Sequence, residues 1–159
     1  MEVNKYGFKN VYGIDLGMSI MLYQKNYMEY EESACYNNAF SCLAVNLETN
    51  RNNRAIIGYV LSTDGKRKAA VRHAWNEING VKVDVTMLAN EETRENPISI
   101  IYFSYLPIRV MTATEFLDAI EANRNMPCLP KDKREEYYLR ELRRKGFELL
   151  DEKVNKWKV

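Results

Sequence analysis

Histidine is almost missing from this sequence. His73 is the only one in 159 residues, so any imidazole chemistry rests on a single position. Cysteine is sparse as well. Cys35, Cys42 and Cys128 form an odd set with no CxxC or other metal-ligand spacing. A structural zinc site needs a fourth ligand and tighter clustering, so none is expected, and no other cofactor is implied. Unpaired thiols of this kind predict a reducing, cytoplasmic compartment. An excess of one charge is also lacking. The net charge is +1, so no bulk basic field draws the chain to nucleic acid or to an anionic membrane. No apolar run is long enough to span a bilayer. The nearest, ISIIYFSYLPIRVM, carries Pro107 and Arg109 and reads as a buried strand. The N-terminal MEVNKYGFKN is polar and lacks the apolar region of a secretory signal. Internal repeats and low-complexity tracts are absent.

What is present suits one domain over residues 1–159. The hydrophobic and charged fractions, 46% and 28%, are those of an ordinary globular chain with a real core. Residues 1–32 have no clean period and predict an irregular segment, with a short helix over MSIMLYQKNYMEYEE. Ser33 is a good helix cap. After it, Tyr36, Phe40, Leu43 and Leu47 recur at helical spacing and predict a helix from Ala34 to about Glu48. AIIGYVLS, KAAVRHAWNEI and VKVDVTML read as strands, with a turn at TDGKRK and a hairpin at Asn79-Gly80. NEETRENP reads as a polar loop, and ISIIYFSYL as a strand closed by Pro107. Thr112 and Glu115 have capping-box spacing ahead of Phe116, Leu117 and Ile120. Two prolines make NRNMPCLP a linker. Residues 131–157 predict a C-terminal amphipathic helix, weakest at Gly146, whose charges form a solvated face. Helix, antiparallel strands, then helices make an α+β domain.

The hairpin places a carboxylate beside the lone imidazole. With Asn79-Gly80 as a two-residue turn, Ile78 faces Val81, Asn76 faces Val83 and Ala74 faces Val85. The other face pairs Glu77 with Lys82, Trp75 with Asp84 and His73 with Thr86. Diagonal neighbours on one face lie roughly 7–8 Å apart, within reach of side chains, and His73 and Asp84 are such neighbours. A one-residue slip would move Asp84 to the opposite face. A carboxylate here fixes the imidazole tautomer and stabilises its protonated form, suiting it for general base and then general acid work.

Cys35 supplies the matching nucleophile. In the first turn of a helix, unpaired N–H groups and the helix dipole favour a thiolate. Its own N–H can serve as one oxyanion donor. Cys42 lies deeper on the apolar face and reads as a buried, inert thiol. Cys128 has no base nearby in sequence. Gln24 is the first choice for a side-chain oxyanion donor. Asn37 follows Cys35 closely and is a second candidate, and Trp75 can wall the site.

A Cys opening a helix, then His73-Ala74-Trp75-Asn76-Glu77, then Asp84-Val85-Thr86 resembles the transglutaminase-like branch of the papain-like cysteine enzymes. The likeness runs from Ser33 to Thr86, about a third of the chain. CYNNA is similar to the start of the Cys helix in small bacterial and phage proteins of this type. Two positions depart from the family pattern. Ser33-Ala34 stand where Gly often precedes the Cys, and Val85 stands where Pro is frequent. The resemblance implies a Cys-bearing helix packed on an antiparallel sheet, with Cys35 as nucleophile, His73 as base and Asp84 as orienting acid. It also implies acyl transfer on an amide, peptide or isopeptide bond of a protein or peptide substrate. The family spans peptidases, amidases, transglutaminases, deamidases and inactive members, so an inactive binding or inhibitor module on the same scaffold is the alternative.

Overall fold

The structure, a computed structural model, describes residues 6–46, 52–124 and 129–150. Cys128, Leu47 and residues 151–157 of the expected C-terminal helix lie outside those residues. The chain is a mixed α+β fold built on a five-stranded sheet. Helix α1 (Leu16–Lys25) is capped by Asp15, whose carboxylate accepts from Met18 N, and a 3-10 turn follows at Tyr27–Glu29. The short helix expected over residues 18–32 is therefore present, but it starts earlier, at Leu16, and ends at Lys25. Its buried residues Ser19, Leu22 and Tyr23 fall at helical spacing.

Helix α2 spans Cys35–Asn46. Ser33 does not cap it. Its φ is 59°, outside the extended region that a capping residue adopts. Ala34 takes the cap position, and its carbonyl accepts from Asn38 N at 2.8 Å. The loop before the helix is closed instead by the Asn38 amide, which accepts from Glu31 N (2.9 Å) and donates to Glu31 O (2.7 Å).

Strands β1 (Arg54–Thr63) and β2 (Lys68–Ile78) pair antiparallel along their whole length. Strand β3 is only Val81–Val83, in the register the hairpin predicts: Ile78 opposite Val81, Glu77 opposite Lys82, Asn76 opposite Val83. Asn79 (φ 53°) and Gly80 (φ 79°) both adopt the left-handed region that this tight turn requires. Pairing then stops, so the expected Trp75–Asp84 and His73–Thr86 pairs do not form. Asp84 leaves the sheet to cap α3 (Val85–Ala89), accepting from Thr86 N and Met87 N. A carboxylate that satisfies helix-start N–H groups competes locally with the strand ladder.

The expected polar loop contains α4 (Glu91–Glu95), capped by Asn90. Pro97–Tyr102 is a 3-10 segment rather than strand, and it buries only Ile100. Strand β4 (Ser104–Thr112) begins after it and runs through Pro107 instead of ending there. Its register against β1 shifts between Ile57 and Gly58, which faces Pro107. Gly58 is required at that irregularity, because a Cβ there would lie 2.0 Å from the Leu106 carbonyl oxygen. Helix α5 (Ala113–Ala122) opens with the expected Thr112–Glu115 capping box.

The C-terminal reading needs correction. Helix α6 spans only Lys133–Arg144, and Gly146 (φ 87°) turns the chain into β5 (Phe147–Leu150). β5 runs parallel to β2, so the sheet is antiparallel except along this strand. Nor is every charge on α6 solvated, since Glu135 is fully buried.

This arrangement leaves one opening in the sheet. β3 occupies the outer edge of β2 at residues 76–78, and β5 occupies it at 68–71. Residues 72–75 between them pair with neither strand. By alternation, Arg72, Ala74 and Asn76 share a face. That face meets α2, with Asn76 bonded to Ala39 O and Arg72 to Tyr36 OH. His73 and Trp75 alternate with them.

Candidate active site

The opening in β2 is where the candidate residues meet. Cys35 and His73 both line a cavity of about 570 Å³, whose walls also include Ser33, Thr86, Met87, Phe103 and Leu150. Asp84 lies behind His73 and is 1% exposed. The His73 Nε2–Asp84 Oδ2 distance is 2.8 Å. Asp84 reaches it as a helix cap rather than as a strand neighbour, so the predicted proximity holds by a different route. Its Oδ1 accepts from Thr86 N at 3.1 Å, which aims Oδ2 at the imidazole. The Asp84 backbone N–H donates to Ser19 Oγ at 3.1 Å, which anchors the carboxylate to α1.

Asp84 commits Nε2, leaving Nδ1 as the ring nitrogen available to a thiol. Cys35 lines the same cavity as His73, and its side chain is among the groups that favour the protonated imidazole. Burial works against the imidazolium, but the charge and hydrogen bond of Asp84, followed by Cys35, outweigh it and push His73 up to about 10. As the first residue of α2, Cys35 also has a backbone N–H with no acceptor inside the helix. Ser33, two residues before it, holds a left-handed backbone that is costly for a side-chain-bearing residue and recurs at functional sites.

Asn38 fastens the helix that Cys35 opens to the helix that Asp84 caps. Its Nδ2 donates to Thr86 Oγ1 at 3.0 Å, so the starts of α2 and α3 are tied together. Tyr105 was read from sequence only as part of a strand. Its hydroxyl donates to Asp84 Oδ2 at 2.7 Å, on the same oxygen that His73 uses. Burial, reinforced by the charge of Asp84, holds the Tyr105 phenol well above its ordinary value, so it stays a neutral donor. Contacts separated by 48 and 21 residues leave no local signal that periodicity could reveal.

Three secondary candidates sit elsewhere. Gln24 is exposed on α1 and lies outside the cavity. Asn37 lines a different cavity of about 300 Å³, beside Met28 and Glu29. Trp75 is buried behind His73, its ring stacked on the imidazole with centroids 6.2 Å apart, and its indole N–H donates to Tyr12 OH at 3.0 Å. It supports the imidazole rather than walling the cavity. Cys42 is 0% exposed, and burial pushes its thiol up to about 12 although Asn46 Nδ2 donates to the sulfur at 3.8 Å. That thiol is inert at neutral pH. Among the described residues, no three His, Cys, Asp or Glu side chains converge as a metal site requires. No helix among them is long and apolar enough to cross a membrane.

No protein-family model, curated protein or solved structure matches this chain.

Proposed function

We propose that this chain is a cysteine-dependent acyl-transfer enzyme of the transglutaminase-like, papain-like kind, acting on an amide, peptide or isopeptide bond of a protein or peptide. The observation that carries the reading is that Cys35 and His73 line one cavity while His73 Nε2 lies 2.8 Å from the buried Asp84 carboxylate. Cys35 Sγ attacks the carbonyl carbon, and the displaced electron pair becomes an oxyanion. In this reading the Cys35 N–H donates to that oxygen. The imidazolium of His73 gives its proton to the leaving amine as the C–N bond breaks. An acyl-thioester on Cys35 remains. His73, now neutral, takes a proton from water, which attacks the thioester and returns Cys35 as the sulfur leaves. Water is the default acceptor, and an amine in its place would give transamidation. Asp84 holds the ring and offsets the charge of the imidazolium.

A positively charged imidazole beside a thiol favours the thiolate and hence nucleophilic attack. The competing reading is an inactive binding module on the same scaffold. It is favoured by one observation, that Cys35 is only 2% exposed. An acyl or peptidyl chloromethyl ketone separates the two. The enzyme reading expects alkylation at Cys35, found by peptide mass spectrometry, and none in Cys35→Ala. Equal labelling of Cys35→Ala, or labelling that falls on Cys128 instead, overturns the assignment.

A further inference from the structure

Asp84 Oδ2 carries two partners. His73 Nε2 lies 2.8 Å away, and the Tyr105 hydroxyl donates at 2.7 Å. Tyr105 is 0% exposed and comes from β4, which is not bonded to β2. Its ring meets the Trp75 edge, with centroids 5.0 Å apart, and Trp75 in turn stacks on His73. One aromatic residue thus touches the imidazole's ring support and donates to its carboxylate. Asp84 needs neither contact for its capping role, because Oδ1 alone serves Thr86 N and Met87 N.

Resting on the functional reading above, we propose that Tyr105 is a positioning residue that competes with His73 for Asp84 Oδ2 and so limits how strongly the carboxylate holds the imidazole's proton. A carboxylate oxygen that already accepts one short hydrogen bond has less negative charge to offer a second donor. With the phenol in place, the imidazolium is easier to deprotonate and can give its proton to a leaving amine. Without it, Asp84 leans on His73 alone, and the imidazolium becomes a weaker acid. Packing alone would ask nothing of the hydroxyl, since Phe would fill the same space. The other ionisable groups around His73 are Cys35 on α2, Glu32 and Glu92 on the cavity wall, and Arg72, which is paired with Glu135. Tyr12 stands behind Trp75.

The lone histidine makes the test direct, because one imidazole signal reports the whole chain. His73 is titrated by NMR in the intact protein, in Tyr105→Phe, in Asp84→Asn and in the double variant. Tyr105→Phe is expected to raise the His73 midpoint by about half a unit to one unit. The same substitution is expected to do nothing in the Asp84→Asn background, where the oxygen it acts through has changed. Placing 3-fluorotyrosine at position 105, a stronger donor on the same ring, is expected to lower the midpoint, and it covers the case in which Tyr105→Phe fails to fold. An unchanged or lowered midpoint in folded Tyr105→Phe overturns the proposal, as does a shift that persists in Asp84→Asn. These titrations need no turnover. A protein that shows the coupling but resists the chloromethyl ketone keeps the Tyr105 assignment and loses the enzymatic reading.

Discussion

Arg72 and Glu135 form a two-point ion pair, Nε to Oε2 at 2.7 Å and Nη2 to Oε1 at 2.9 Å, with both side chains 0% exposed. Arg72 is the sequence neighbour of His73. Its Nη1 also donates to Tyr36 OH at 3.0 Å, and Tyr36 is the sequence neighbour of Cys35. A third donor, Tyr59 OH, reaches Glu135 Oε2 at 2.7 Å. Helix α6 therefore fastens β2 to α2 one residue away from both His73 and Cys35.

Removing one partner of such a pair leaves an uncompensated buried charge. Glu135→Ala is expected to cost about 3–5 kcal/mol of stability, measured by denaturant unfolding. A loss no larger than that of exposed Glu136→Ala would show that the pair is not buried as described.

The His73–Asp84 pair should appear in the pH dependence of stability. His73 has an ordinary value of 6.5 and is pushed up to about 10 in the folded chain. The folded state holds the proton more tightly, so the stabilisation is fully present below pH 6.5 and is lost as pH rises through about 10. Cys42 and Tyr12, both raised by burial to about 12, also oppose folding at alkaline pH, so the comparison must be with a variant. In Asp84→Asn, melting temperature should fall less between those limits than in the parent. Parallel profiles would remove Asp84 as the cause.

The two described thiols should react at very different rates. Cys42 is buried among Tyr30 and Asn46 and is held protonated, whereas Cys35 shares a cavity wall with His73. Iodoacetamide at neutral pH should modify Cys35 well before Cys42. On the proposed function, His73→Ala is expected to slow acyl transfer by about 10²–10⁴-fold, the usual contribution of a positioned acid–base group. Equal alkylation of Cys35 and Cys42 would count against an activated nucleophile.

Gly58 marks the close approach of β1 and β4. An added Cβ would meet the Leu106 carbonyl at 2.0 Å and the Trp75 ring at 2.9 Å. Gly58→Ala must therefore shift backbone, and it should cost several kcal/mol, about as much as other overpacked core sites or more. Because Trp75 stacks on His73, its near-UV circular dichroism should change as well. A neutral substitution would refute the contact.

Local chemistry alone determined a good part of this protein. The span of β2, the Asn79-Gly80 turn and its register, the Thr112–Glu115 capping box and the placement of Cys35 in a first helical turn follow from neighbours a few residues apart. Periodicity, turn residues and caps act at that range. The same local logic failed where two short-range signals competed. Asp84 could extend a strand or cap a helix, and three apolar residues of 97–102 face solvent in a 3-10 segment that reads like strand. Gly146 looked like a flaw in a helix and is the turn into β5. What only the tertiary structure decided lies further apart still. The Tyr105–Asp84 bond spans 21 residues, the Asn38–Thr86 bond 48 and the Arg72–Glu135 pair 63. Each depends on a buried donor finding a particular acceptor once the sheet and helices have packed. Burial makes those pairings obligatory, and no spacing along the chain encodes them.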